Sequence, residues 1–300
     1  MTRRVVQFDK FGGPEVLEVR EVDTPVPGPG EVLVRVRAIG VNPLDAKLRS
    51  GMRELLLPMI PGIDLAGTVE QVGPGVESVA VGDAVVGQAN TGSYAELAIA
   101  ESFVPKPANM SWELAAAVPV AAEVAVRVLG QLGLKSGETL LIHGAGGSAG
   151  SIATQLAIAR GIAVVGTAGP HDQELVAALG ASAVLYGDGW VDRVRAVAPE
   201  GVDAVFDTSG AGVLPESIDL VGGVDRVITI ADPAAFELGV QFSGSSPTDR
   251  APGAIEEVLE LVAHGKVSLR VWKTYPLADA AEAHRDIASG ATRGKQVLIP

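Results

Sequence analysis

The stretch His143-Gly-Ala-Gly-Gly-Ser-Ala-Gly150 separates the apolar run Thr139–His143 from the helical pattern Ser151–Ala157, and few folds tolerate that arrangement. Glycine loses the most backbone freedom on folding, so a cluster of glycines needs a geometric reason. A strand running through a glycine turn into a helix supplies one. Gly144, Gly147 and Gly150 are evenly spaced. One suits the tight turn, one lets a pyrophosphate approach the backbone, and one lets helix and strand pack closely. The helix N-terminus adds unpaired N–H groups and a partial positive charge. Gly144, Ala145, Gly146, Gly147, Ser148, Ala149 and Gly150 are therefore expected to hold a dinucleotide. The alternative is a glycine-rich turn that holds nothing.

The surrounding pattern agrees. From about Ser111 onward, short apolar strands alternate with helical segments: TLLIH, SIATQLAIARG, AVVGT, DQELVAALG, AVLY, VDAVFDTSG, LPESIDLVG and RVITIA. That alternation predicts a doubly wound parallel sheet of the Rossmann type, covered on both faces. The segment SWELAAAVPVAAEVAVRVLGQL reads as one helix, with Ser111 as its N-cap. The first third of the chain differs. In GEVLVRVRAIGV, Val32, Val34, Val36 and Ala38 take one face and Leu33, Arg35 and Arg37 the other, the period of a half-buried strand. Several short strands with glycine turns between them predict a small β-barrel. The last segment, a helix and then a strand, is expected to return to the barrel. The predicted class is thus α/β, with a barrel domain over 1–113 and 273–300 and a nucleotide domain over 114–272.

Composition narrows the function. The 300 residues carry a net charge of −13 and no cysteine. An acidic chain without a basic cluster does not suit nucleic acid or an anionic membrane surface. Without cysteine there are no disulfides and no thiolate metal sites. The N-terminus lacks the apolar run of a secretory signal, so a cytoplasmic protein is expected.

The second parallel strand ends at Thr167, Ala168 and Gly169, without the acid that binds adenosine ribose hydroxyls in NAD-specific folds. NADP(H) is favoured, with His171 and the Thr167 hydroxyl able to meet a 2′-phosphate, and Asp172 read as a helix cap. Thr208 and Ser209 follow one strand and Ile230 and Ala231 end another, so they too are candidates for the cofactor edge.

At this point the chain resembles the zinc-free quinone oxidoreductases of the medium-chain dehydrogenase/reductase superfamily. The resemblance runs nearly end to end. It rests on GPGEVLVRVRAIGVNPLDAKLRSG, PGIDLAGTVEQVGPGV, GDAVVG, GSYAELAIA, HGAGGSAGSIATQLA, VFDTSG and AAEAHRDIASGATRGKQVLIP. It implies a GroES-like catalytic domain, a homodimer, and hydride transfer from NADPH to a quinone or a conjugated enone. Zinc enzymes of the superfamily carry Cys where this chain has Asn42, and His where it has Ile63, so no metal is expected. The resemblance places Asn42 and Asp45 at the cleft floor. Asn42 is a candidate hydrogen-bond donor to substrate or cofactor, or a turn residue. Asp45 is a candidate for the same site or a local backbone partner. Lys47 is a candidate for stabilising an oxyanion, or a surface charge. Lys295 is expected either to reach the cofactor or to be solvated. Glu123 is a candidate charged cleft residue, or part of a solvated helix face. Two other functions remain open from the sequence: an enoyl-thioester reductase, and a nucleotide-binding protein with little turnover. The strand in LGVQFSG is a candidate for pairing across a two-fold axis.

Overall fold

A computed structural model describes all residues except 245, 247 and 291. It divides into two compact units, Met1–Val120 with Ile255–Pro300, and Ala121–Ala254.

The first unit begins with an antiparallel pair, β1 (Thr2–Gln7) and β2 (Glu18–Asp23). Next come β3 (Val32–Val41), the short helix α1 (Pro43–Arg49), β4 (Asp64–Val72), β5 (Ala84–Ala89) and β6 (Leu97–Pro105). Strands β3 to β6 pair antiparallel in sequence order, and β6 also pairs back onto Val32–Arg35 of β3. The expected alternation in β3 holds in part. Val32, Val34, Val36 and Ala38 are buried and Arg35 and Arg37 are exposed. Leu33 departs from it, buried on the opposite face against Leu97 and Ile99. The pairing with β6 brings those two side chains over it.

The expected single helix from Ser111 is two helices. Ser111 Oγ accepts a hydrogen bond from the Leu114 N–H at 3.1 Å and caps α2 (Trp112–Ala116). The next helix, α3 (Pro119–Leu132), starts afresh at Pro119. Proline has no N–H and its ring collides with the preceding turn, so it opens a helix and interrupts one that reaches it.

The second unit contains β7 (Thr139–His143), α4 (Ser148–Ala159), β8 (Ala163–Ala168), α5 (Gln173–Ala178), β9 (Ser182–Leu185), α6 (Trp190–Val197), β10 (Ala204–Asp207), α7 (Leu214–Val221), β11 (Val227–Thr229), α8 (Ala235–Leu238) and β12 (Gln241–Phe242). The six strands lie in the order β12-β11-β10-β7-β8-β9, all parallel. This is a doubly wound sheet whose strand order reverses beside β7, where such folds bind ligands. Helix α6 has no counterpart in the sequence reading. Its apolar anchors Trp190 and Val194 are only four residues apart, too short a signal to stand out.

Helix α9 (Ala254–Ala263) leads back into the first unit. There β13 (Val271–Pro276), α10 (Ala280–Ala288) and β14 (Lys295–Ile299) complete the chain. β14 pairs antiparallel with Ile39–Val41 of β3, so the C-terminal strand returns to the first sheet as expected. Val32, Val34, Ile39, Leu65, Tyr94 and Leu298 share the core of that unit.

Candidate active site

Strand β7 ends at His143, and Gly144 turns the chain with φ of +78°. A side chain there is strained, and its Cβ would also stand 2.5 Å from Thr208 Oγ1. That hydroxyl donates to His143 O at 2.7 Å, which ties the end of β10 to the turn. Gly150, in the first turn of α4, has its missing Cβ aimed at the Gly144 carbonyl oxygen and 2.9 Å from Ala145 Cα. These two glycines let strand, turn and helix close on one another. Gly147 is different. It is exposed, with φ of −74°, and an added Cβ would meet only Gly144 O, at 3.3 Å. Among the described residues, this single contact is milder than those at Gly144 and Gly150. The first N–H groups of α4, at Ser148, Ala149 and Gly150, have no partner within the helix. The turn therefore fits a dinucleotide pyrophosphate.

The other candidates of this unit gather on the same carboxyl edge of the sheet. Asp207 is fully buried and organises two loops there. Its carboxylate accepts from the Ser209 N–H and hydroxyl at 2.9 and 2.7 Å and from Thr229 Oγ1 at 2.8 Å. Thr229 Oγ1 in turn accepts from the Ala231 N–H at 3.0 Å, and the Ile230 N–H reaches Asp207 O. Thr167 and Ala168 end β8, and Gly169 and exposed His171 follow.

The Thr167 hydroxyl has a different role from the one expected. It is buried, 3.1 Å from His143 Nδ1. His143 Nε2 lies 3.2 Å from Ser217 Oγ, whose own proton goes to Val213 O at 2.6 Å. Nε2 must therefore carry the imidazole proton, and Thr167 must donate to Nδ1. The hydroxyl is thus spent inside the sheet and not offered to a phosphate. His143, packed edge-on to Trp190 at 4.7 Å, is a structural link. Burial pushes its pKa down to about 4.

In the first unit, the residues expected near the substrate form a buried polar cluster. Asn42 precedes α1, and its N–H donates to Asp45 Oδ2 at 2.8 Å. Its side-chain Nδ2 donates to Asp64 Oδ2 at 3.0 Å, and its Oδ1 accepts from Lys295 Nζ at 2.6 Å. Lys295 also reaches Asp64 Oδ2 at 2.9 Å, and Asp64 Oδ1 accepts from the Val120 N–H at 2.8 Å. Asn42, Asp45, Asp64 and Lys295 are all 5% exposed or less. Lys295 is thus neither solvated nor extended toward a ligand, because its ammonium is committed to Asn42 and Asp64. The Asn42 amide is engaged at both ends. Asp45 also accepts from the Tyr94 hydroxyl at 3.3 Å, and that oxygen lies 2.9 Å from His284 Nε2. Lys47 is half-buried in the last turn of α1, where a cation suits the helix dipole.

The cluster predicts a pH dependence. Burial pushes the Asp45 carboxyl up to about 7, although the Asn42 N–H opposes the shift. Burial pushes His284 down to about 3, with nearby Arg49 adding to the effect. Unfolding between about pH 5 and 6 therefore releases the Asp45 proton and takes up protons at His143 and His284. The net uptake of one proton makes stability rise with pH by about 1.4 kcal/mol per unit. In Asp45→Asn the opposing release disappears, so the slope doubles, and urea unfolding at several pH values reads it directly. An unchanged slope in the variant would mean that Asp45 is ionised in the fold.

Comparison with known proteins fits this geometry. Residues 28–116 match the alcohol dehydrogenase GroES-like domain, and residues 179–298 match the zinc-binding dehydrogenase family. A quinone oxidoreductase of Sus scrofa is 35% identical, over 98% of this chain and 97% of its own. The chain belongs to the quinone oxidoreductase family. Among solved structures, the quinone oxidoreductase from Coxiella burnetii shares 29% identity with a TM-score of 0.89, covering all of both chains. That of Escherichia coli, solved in complex with NADPH, shares 28% with a TM-score of 0.87, again over all of both chains.

The zinc in the second family description does not fit the donor set of this member. The chain has no cysteine, and among the described residues no group of three His, Asp or Glu side chains could hold a metal. Asn42 shares its buried pocket with the Lys295 ammonium, a cation that a metal would have to displace.

Sequence reasoning missed Asp64 in the cluster of the first unit and Tyr186 beside the sheet edge of the second. Asp64 stands at the head of an apolar strand, and a buried carboxylate there signals a partner elsewhere. Tyr186 lies across Gly169, where an added Cβ would come within 3.2 Å of the ring. Asp172, read as a helix cap, sits at the N-cap position of α5 without a side-chain cap hydrogen bond, and a Cβ on Gly146 would stand 3.0 Å from its Cβ. Glu123 is also placed differently from expectation. It pairs with Arg127 at 2.9 Å, both side chains largely buried, and Arg127 continues to Ser243 Oγ. This face of α3 is covered, not solvated.

Proposed function

We propose that the chain is a zinc-free, NADPH-dependent oxidoreductase that reduces a quinone or a conjugated enone. The observation that carries the reading is the turn in which Gly144 and Gly150 close strand onto helix while Gly147 stays bare. Residues 144–150 bind the pyrophosphate through α4's first N–H groups. The loops held by Asp207 and Thr229 present Ser209, Ile230 and Ala231 beside them. When bound, the nicotinamide supplies the hydride, which an electron-poor acceptor takes without a metal.

The residues of the first unit act by position. Lys295 and Asp64 lock the Asn42 amide and the start of α1. Asp45 is fully enclosed, so its role is to fix Asn42 and Tyr94 and not to touch an acceptor. The internal ammonium neutralises the buried carboxylate that a metal ligand set would otherwise need a metal to balance.

Two chains are proposed to pair through β12, the outer strand of the parallel sheet, with Phe236 and Phe242 stacked beside it at 5.3 Å and Phe236 two-thirds exposed. A solution mass of twice the chain's 30.6 kDa is the check. The activity is tested by chelator-treated protein with NADPH, a small quinone and a simple enone. NADPH oxidation with either acceptor is the expected result. Binding of NADPH without oxidation by any acceptor would overturn the catalytic reading.

A further inference from the structure

Asp45, Tyr94 and His284 meet inside the first unit, all three fully buried. The Tyr94 oxygen stands between the other two, 3.3 Å from Asp45 Oδ2 and 2.9 Å from His284 Nε2. A phenol has one proton, so it donates to one neighbour and accepts from the other. Among the described residues, Asp45 Oδ1 and His284 Nδ1 have no hydrogen-bond partner, so no other contact fixes the carboxyl proton or the imidazole tautomer. His143 is the contrast, because Thr167 and Ser217 engage both of its ring nitrogens.

Two arrangements satisfy this row. With Asp45 ionised, Tyr94 donates to Oδ2, and His284 carries its proton on Nε2 and donates to Tyr94. With Asp45 neutral, the carboxyl O–H donates to the Tyr94 oxygen, Tyr94 donates to Nε2, and the imidazole proton sits on Nδ1. The second arrangement is the first plus one proton. That proton is taken up at Nδ1, the Nε2 proton passes to Tyr94, and the Tyr94 proton passes to Asp45. The imidazole is neutral in both. Charge decides which arrangement holds. The Lys295 ammonium lies on Asp64 and Asn42, so ionising Asp45 puts a second buried carboxylate beside one ammonium. Asp64 of β4 opposes that charge and Lys295 of β14 favours it, while Arg49 of α1 faces Tyr94 and His284, and Glu15 faces Arg49. The 3.3 Å contact to Asp45 is longer than the roughly 2.5–2.7 Å at which a hydroxyl meets a carboxylate anion.

We propose that Asp45, Tyr94 and His284 form a proton switch, in which the charge on Asp45 and the tautomer of His284 change together. Asp45 Oδ2 also accepts the Asn42 N–H at 2.8 Å, so the switch links α10 to the head of α1. The charge beside Asn42 follows pH without any histidine becoming charged.

The test is nitrogen NMR of the full chain with 15N-labelled histidine. The chain has four histidines, and His171→Gln with His264→Gln removes the two exposed ones. His143 then serves as a fixed Nε2–H reference. As pH rises from about 5 to about 9, the proton of His284 is expected to move from Nδ1 to Nε2. The midpoint should fall near 7, where burial places the Asp45 carboxyl. Carbon NMR of the labelled Asp45 carboxyl should give the same midpoint. Asp45→Asn and Tyr94→Phe should each leave one tautomer at every pH. A wild-type His284 that keeps one tautomer across the range would overturn the proposal, and that result needs no variant beyond the two surface substitutions. A tautomer change that survives in Tyr94→Phe would overturn it too, as would both nitrogens of His284 becoming protonated together.

Discussion

Gly150→Ala is expected to lose dinucleotide affinity by at least about a hundredfold and to destabilise the second unit by about 1–3 kcal/mol. The added methyl group would be driven into the Gly144 carbonyl and against Ala145 Cα, both backbone atoms of the turn. No rotamer change relieves that contact. Helix α4 must move away from the turn, and its first N–H groups move with it. Gly147→Ala is the informative partner. Its methyl group meets only Gly144 O, at 3.3 Å, so the melting temperature should stay near that of wild type. Affinity for NADPH should still fall, because the methyl group occupies the space left bare for the phosphates. Thermal melting and NADPH titration of both variants separate the two roles. If Gly147→Ala bound NADPH as tightly as wild type, the phosphates would have to approach elsewhere.

Lys295→Met is expected to be the most damaging single change in the first unit, at about 3–5 kcal/mol. Among the described residues, it leaves fully buried Asp64 with the Asn42 amide and the Val120 N–H as partners. A buried carboxylate stripped of its cation costs far more than the pair contributes over an apolar replacement. The double variant Lys295→Met with Asp64→Asn should therefore recover much of the loss, since no charge is left stranded. Urea unfolding of the two singles and the double gives the coupling. Additive losses in the double would show that the ammonium is not what holds Asp64.

These two sites differ in how far the sequence revealed them. The glycine turn is local: strand, turn and helix lie between Thr139 and Ala159, and each leaves its own period in the sequence. The parallel sheet was legible for the same reason, through short apolar runs at regular intervals. The buried cluster is not local. Asn42 and Lys295 are 253 positions apart, and only the pairing of β14 with β3 brings them together. Nothing around Lys295 in RGKQVLIP distinguishes a committed ammonium from a solvated one. Thr167 shows a related error, a polar side chain at the right position whose hydrogen bond had already gone to a neighbouring strand. Pro119, by contrast, marked its helix break openly, and the strong apolar pattern on either side masked it.

The most direct test of metal-free hydride transfer uses NADPH deuterated at the transferring position of the nicotinamide. Chelator-treated protein, shown to contain no zinc, would be given this cofactor with a simple enone. The structure predicts oxidation of the cofactor and deuterium at the β-carbon of the saturated product. Failure of the metal-free protein to transfer the label, with transfer restored by added zinc, would contradict the account.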